Sequence, residues 1–496
     1  MIRRAARRCA VAGLALAAAV VLTSFGAGSA AALDRLPAVL HVHSDLSTGD
    51  FSLEQLTAMA EKQGIGALLL TENYLLRVEY GLPPFRALTR AVRDERSVVD
   101  LGIDRYLERV AQARAVNPRV LIIPGVEVLP HYHWTGSPFA LEMAVHGTQK
   151  NLLVFGLDAA ALRGLPVTGN RIGGFGWSSV LDALPILLVI PGVYLLGRTR
   201  RGLRRVGRAV VVVTQRRWVA GAVLCGIAVM ALLRGWPFAE EPYPPYRDLG
   251  LTPHQDLIDY VDRLGGLSVW SFPEARDAGQ QWMGPVKVSW YTPPYPDDLL
   301  RTARYTAFGA VYEDTTRVDR PGASWDRLLG EFVAGDRSRP AWAVGESGFH
   351  GFSAKKTLGK IRTVFLVEER SERGVLDAMK RGRFYAVEQE AGAELVLTEF
   401  SVGTGSAAAL SGDLTRAAAG TPVDITIAVE ARAGAAAPRD ARVTLVRNGT
   451  VVRVWTGPPP FRTVHRDVFD GSPTFYRLDV RGPGRLLSNP IFVRRS

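Results

Sequence analysis

Cysteine is nearly absent from these 496 residues. The two present, Cys9 and Cys225, both fall inside apolar runs. No disulfide framework can therefore hold the soluble part together, and its stability has to come from a buried core. A net basic excess is also missing from most of the chain. The net charge is +12, from 60 Lys and Arg against 48 Asp and Glu. Arg3, Arg4, Arg7 and Arg8 carry four of those charges, and Arg198, Arg200, Arg201, Arg204, Arg205, Arg208, Arg216 and Arg217 carry eight. Neither segment contains an acid, so the remainder balances 48 basic residues against 48 acidic ones. That body has no surplus with which to hold a phosphate backbone, which argues against a nucleic-acid partner.

The basic segments adjoin three apolar runs. Cys9 to Leu33 follows the Arg-rich start and ends in small residues, the pattern of a signal peptide or an N-terminal anchor over residues 1–33. Runs over Val180–Gly197 and Trp218–Leu233 have Trp177, Trp218 and Trp236 at their ends, where interfacial aromatics belong. Pro185 and Pro191 weaken the first of these helices, and Asp182 belongs near its outer end. The arginines between the two runs are a positive-inside signature. The expectation is a transmembrane hairpin over 179–236 with a cytoplasmic loop. The protein is then multi-pass at the cell membrane, with its soluble domains extracytoplasmic.

The soluble part reads as one α/β domain interrupted by the hairpin, over 34–178 and 237–392. Ala38–Leu40 is a strand ending in His41-Val42-His43-Ser44, and Ser52 with Gln55 predicts a capping box opening a helix to Gln63. Ile65–Leu70 has the continuous apolar character of a buried parallel strand. Asp104–Val116 is helical, and Val120–Ile123 and Leu152–Phe155 are further strands. Thr252 is expected to cap a helix through Leu264. Strands follow at Gly266–Val269, Ala307–Tyr312 and Ala341–Val344. About seven strand–helix units predict an irregular barrel, with polar residues gathered at the carboxyl ends of its strands. From Glu394 the texture changes to short alternating stretches, with Asn448-Gly449 as a hairpin turn. Residues 393–496 are expected to form a small β-sandwich with a loop over Ala431–Pro438.

The chemistry lies in the strand-end residues. Histidines at i and i+2 on a strand share a face, so His41 and His43 can reach one cation. Glu127 can add a carboxylate, His350 can join from across the barrel, and Glu72 holds an analogous strand-end position. His254 and His465 read as surface residues. Trp270, Trp282, Trp290 and Tyr291 fit either a core or the lining of a substrate cleft.

These motifs together resemble the polymerase and histidinol phosphatase (PHP) family. His41-Val42-His43-Ser44 is similar to its opening motif, Thr71-Glu72-Asn73 to its Thr-Asp-His, and Pro124-Gly125-Val126-Glu127 to its Pro-Gly-X-Glu. Leu267–Pro273 resembles its strand ending in Ala-His-Pro, and Ser347-Gly348-Phe349-His350 its Ser-Asp-X-His. The likeness spans Leu36–Val387 with the hairpin as an insertion. It implies a distorted (β/α)7 barrel that binds up to three divalent metals and hydrolyses phosphoesters. Four family ligands are replaced here, by Asn73, Asn151, Phe272 and Gly348. Phe cannot ligate a metal and amides are poor ligands, so one zinc- or manganese-like ion is expected on His41, His43 and Glu127, with His350. Glu346, His131, His133 and His146 are possible substitute ligands.

Two functions follow. One is a metal-dependent phosphoesterase acting on a phosphorylated or envelope substrate, in which the ion activates a water, Glu72 orients or deprotonates it, and His350 binds or protonates the substrate. The other is a catalytically degenerate barrel that binds a ligand or partner at the cell envelope.

Overall fold

The computed structural model describes residues 33–314, 316–404, 407–432 and 440–496. The Cys9–Leu33 run, except its last residue, and most of the Ala431–Pro438 loop lie outside them.

The chain opens with β1 (Asp34–Val42) and α1 (Leu53–Lys62). The start of α1 is closed reciprocally: Gln55 N donates to Ser52 Oγ at 3.3 Å, and Ser52 N donates to Gln55 Oε1 at 2.9 Å. β2 (Ala67–Leu70) is buried throughout, and after one residue the chain resumes as β3 (Glu72–Asn73). A two-stranded ribbon, β4 (Leu76–Tyr80) and β5 (Ala91–Glu95), and the helix α2 (Ile103–Val116) lead to β6 (Leu121–Ile123) and β7 (Gly125–Val128). β2 pairs in parallel with β1 and β6, and β3 pairs in parallel with β7. Thus both β2/β3 and β6/β7 pass from one sheet into the next. Gly125 sits at that passage because a Cβ there would come within 2.4 Å of the Phe155 ring and 2.7 Å of Leu70 O.

β8 (His133–Ser137), β9 (Glu142–His146) and β10 (Leu152–Phe155) precede the apolar insertion. Its first helix, α3 (Trp177–Gly197), contains a 3-10 turn opened by Pro185. A β-hairpin follows, β11 (Thr199–Val206) with β12 (Ala209–Arg216), then α4 (Trp218–Gly235). The two helices pack through small residues. A Cβ on Gly192 would meet Cys225 Sγ at 2.6 Å, and one on Gly221 would meet Gly192 O at 2.7 Å. Both are long and apolar enough to cross a membrane, and only 11% and 22% of their apolar windows are buried, so they are not core helices.

The second half supplies α5 (Thr252–Arg263), β13 (Leu267–Trp270), β14 (Asp277–Met283), β15 (Val286–Thr292), β16 (Ala307–Val311), α6 (Ser324–Ala334), β17 (Trp342–Gly345), β18 (Ile361–Val367), α7 (Glu372–Arg381) and β19 (Phe384–Glu388). Thr252 is the first residue of α5 rather than its cap, with Pro253 behind it and no side-chain cap bond. One sheet runs β17-β16-β13-β10-β7-β3, in which β10 is antiparallel to both neighbours. The described strands do not close into one continuous ladder. β17 is followed instead by a short seam against β1: Ser347 N donates to Leu40 O, Phe349 N to His41 O and His43 N to Phe349 O, each at 2.9 Å.

The C-terminal strands from Glu394 to Arg495 form two facing layers around a core of their own, including Val402, Ile425, Leu445 and Leu478. Asn448 and Gly449, both left-handed, turn the Ala441–Arg447 strand into Thr450–Gly457. One layer is not autonomous, because its Gly484–Ser488 strand pairs with β19 and so continues through β18 into β1. Arg477, fully buried, donates to Asp326 of α6 through Nε at 2.6 Å and Nη2 at 2.7 Å.

Candidate metal centre

β1 does not deliver its two histidines by simple alternation. His41 has φ of +71°, and the β1–β2 register slips between Leu40 and Val42. This bulge aims both imidazoles at one point, and the backbone bonds to Phe349 on either side hold it there. His41 Nε2 and His43 Nε2 lie 3.0 Å apart. His350 arrives from the seam after β17 and stacks on His43 with ring centroids 4.0 Å apart. One nitrogen from each of His41, His43 and His350 lies within 4.8 Å of the others. Glu127, from β7, places its oxygens 3.5 Å from His41 Nε2 and 3.4 Å from His43 Nε2. Three imidazoles and a carboxylate converging in a buried cleft are a donor set that fits a divalent transition ion.

The residues around this set fix its orientation. Glu346, fully buried, accepts from His41 Nδ1 at 2.6 Å, Ser271 Oγ at 2.5 Å and Phe272 N at 3.0 Å. It lies behind His41, on the side away from His43, and leaves His41 Nε2 free to face Glu127. That is the carboxylate–imidazole arrangement that orients a metal-binding histidine, whereas the sequence reading made Glu346 a substitute ligand. Gly309 on β16 makes room for it, since a Cβ there would come within 1.9 Å of Glu346 Oε2. Thr48 lies 3.0 Å from His350 Nδ1 and accepts from Asn73 Nδ2 at 2.8 Å. Burial lowers the His41 pKa, but Glu127 and Glu346 outweigh it and carry it up to about 9. Burial raises that of Glu127, but His41 and His43 hold it well below the usual carboxylate range. Burial, then His43 and His41, press His350 down to about 3, so its imidazole is neutral.

The positions where the sequence departs from the resemblance noted above are filled rather than empty. Asn151 Nδ2 donates to Glu127 Oε1 at 2.8 Å. Phe272 stacks on His41 at 5.1 Å. Gly348 is left-handed, and a Cβ there would meet Phe272 and, at 2.9 Å, Lys356 Nζ. Lys356 therefore brings a cation to the side of the cleft beside Gly348. It donates to Ser347 O at 2.9 Å and lines the same cavity of about 300 Å³ as His41, Glu127 and His350. Lys356 was missed in the sequence because it lies in a turn outside every motif.

Other candidates fall elsewhere. Glu72 is fully buried, and both oxygens are taken by the turn after the histidines: Ser44 N at 2.8 Å, Ser44 Oγ at 2.5 Å, and Ser47 Oγ. Burial raises its pKa to about 7. His131, His133 and His146 form a row of their own, with centroid spacings of 6.2 and 4.9 Å. His131 is engaged by Thr168 and Arg247 O, and His146 by Thr135. Among the described residues, only His41, His43 and His350 form a metal-competent group of imidazoles. His254 is not on the surface: it is buried, stacked on Trp270 at 5.2 Å. Its spacing with Leu257, Ile258 and Val261 on α5 was the available signal.

No protein-family profile and no curated protein sequence matches the chain. Its fold is similar, at a distance, to several solved structures. One is a two-domain protein from Bacteroides vulgatus containing a predicted PHP-like metal-dependent phosphoesterase, with 12% identity, 90% of this chain and 91% of that one covered, and a TM-score of 0.35. Another, from Bifidobacterium adolescentis, is termed a metal-dependent phosphoesterase, with 12% identity, coverage of 70% and 97%, and a TM-score of 0.30. A third is an amidohydrolase from Chromobacterium violaceum with bound sulfate and no metal, at 14% identity, coverage of 63% and 87%, and a TM-score of 0.26. At these values the likenesses carry no argument about the site.

Proposed function

We propose that this chain is a membrane-anchored, metal-dependent hydrolase of phosphoesters. The observation that carries the proposal is the convergence of His41, His43 and His350 with Glu127 in one cleft. We read β1, β2/β3, β6/β7, β10, β13, β16 and β17 as a seven-stranded barrel whose seam is the Ser347–Phe349 segment. Helices α3 and α4 are the membrane hairpin, with the β11–β12 arginines cytoplasmic and the barrel outside.

In this reading His41, His43, His350 and Glu127 hold one divalent ion. Such an ion, when bound, supplies a Lewis acid that acidifies water and polarises an ester oxygen. Glu346 holds His41 in the tautomer that presents Nε2. Thr48 and Asn73 fix the His350 ring. Lys356 receives the anionic oxygens of the ester, since its charge faces the same cleft and is otherwise bonded to a neutral carbonyl. Phe272, flat against His41, screens it from solvent. Glu72 acts at one remove, by holding the Ser44–Ser47 turn that carries His43.

The test is elemental analysis of the full chain, purified in detergent without chelator. About one equivalent of zinc or manganese is expected. Metal content should fall well below one equivalent in His43→Ala or Glu127→Ala, with the circular dichroism spectrum retained, because each variant leaves only three of the four protein donors. A wild type that binds no metal would overturn the hydrolase and favour a ligand-binding barrel.

A further inference from the structure

A second cavity, of about 600 Å³, lies beside the metal centre. Its walls are the β4–β5 ribbon on one side and the β8, β9, β14 and β15 strands on the other. Val78, Val92, Met143, Val145, Val288 and Trp290 make it predominantly apolar. Val92 and Met283 are 44% and 55% exposed, so this apolar surface is not packed against the protein's own core. Its volume lies within the roughly 300–1,000 Å³ of small-molecule sites. Leu76, Glu95, Leu129, Thr148 and Gln149 line both this cavity and the pocket holding His41, Glu127, His350 and Lys356. The two spaces are therefore continuous, one apolar and one polar.

The ribbon is also tied to the apolar helices. Between its strands, Ala87 N donates to Asp182 of α3 at 3.4 Å. Arg234 of α4 donates to Leu88 O at 3.3 Å and Arg90 O at 2.9 Å, and Arg90 donates back to Arg234 O at 2.9 Å. The wall of the apolar cavity is thus joined to the ends of the two helices that expose their apolar faces.

We propose that the cavity receives the hydrocarbon chain of an amphiphilic phosphoester, whose ester group lies at the His41–His43–His350 centre beside Lys356. A substrate with an apolar chain about as long as the cavity, drawn from the membrane that α3 and α4 enter, satisfies both spaces at once. A small, wholly polar phosphoester would leave the apolar walls wet. The assignment rests on the hydrolase reading for the fate of the ester, and its test reads binding.

The probe is dodecyl phosphate carrying a terminal diazirine, added to the full chain in lipid nanodiscs and photolysed. Adducts are mapped by mass spectrometry. They are expected on residues 76–95, 143–145 and 283–290, and tenfold excess plain dodecyl phosphate should suppress them at least fivefold, with butyl phosphate ineffective. The double variant Val92→Glu, Met283→Glu changes two exposed side chains and should remove these adducts at least tenfold without altering metal content. Adducts confined to residues 177–197 and 218–235 would show plain partition into the lipid and overturn the proposal, as would adducts that butyl phosphate suppresses equally well. If the adducts map to the cavity but no phosphoester of any chain length is cleaved, the binding site stands and the hydrolase reading falls.

Discussion

Replacing Gly309 tests whether Glu346 controls the metal centre without touching any ligand. A methyl group at Gly309 would lie 1.9 Å from Glu346 Oε2, where ordinary contact begins near 3.4 Å, so the carboxylate has to retreat by about 1.5 Å. The bond to His41 at 2.6 Å and the bond from Phe272 N at 3.0 Å cannot both survive that movement. Glu346→Gln attacks the same bonds by chemistry rather than by volume. Whichever way the amide is turned, its NH2 points at a donor, either His41 and Ser271 or Phe272 N. Freeing a metal-binding imidazole from its carboxylate typically weakens metal affinity 10–100-fold, about 1.4–2.7 kcal/mol. Leaving buried donors unmet costs about 1–3 kcal/mol of stability each. Both variants should therefore bind zinc 10–100-fold more weakly in a chelator competition titration. The double variant should be no worse than the weaker single one, because both act through one carboxylate. Affinity within twofold of wild type in both single variants, while His43→Ala clearly weakens binding, would refute the role given to Glu346.

Three further outcomes follow from the packing. His254 is pressed to about 3 by burial and by Lys150, against 6.5 in the unfolded chain. Between those values the unfolded state binds more protons, so stability falls as pH falls. From pH 7 to 5 this one group should cost about 2 kcal/mol, and urea titrations of His254→Phe should lack that part of the loss while other histidines keep theirs. Arg477→Met strands the buried Asp326 carboxylate and should destabilise by about 3–5 kcal/mol, whereas adding Asp326→Leu should recover most of it in denaturant titrations. In a cysteine-free background, Arg201→Cys in the β11–β12 hairpin should resist a membrane-impermeant thiol reagent on intact cells, and Arg373→Cys, at a site 91% exposed, should react; labelling of position 201 would refute the orientation.

Local chemistry explains what could be read from the chain alone. Charge asymmetry around two apolar runs marks α3 and α4, because hydropathy and flanking arginines act over a dozen residues. The Ser52–Gln55 box, the Asn448-Gly449 turn and the buried run of β2 are likewise short-range, and the strand-end positions of His41, His43, Glu127 and His350 follow from where each apolar stretch stops. Side-chain direction is a different matter. Whether Glu346 binds a metal or a histidine depends on which side of His41 it approaches from, and that is set by β16 and β17 together with the space at Gly309. Glu72 sits at a strand end, where the sequence suggests a catalytic role, yet the fold of the Ser44–Ser47 turn consumes both its oxygens. Lys356 reaches the centre only because the chain after the seam turns back over Phe272. The C-terminal layers look self-contained in sequence, since hairpins pair locally, but the pairing of Gly484–Ser488 with β19 joins strands about a hundred residues apart. The apolar cavity beside the centre belongs to no segment: its two walls come from strands on either side of the apolar insertion, and only their approach in space creates it.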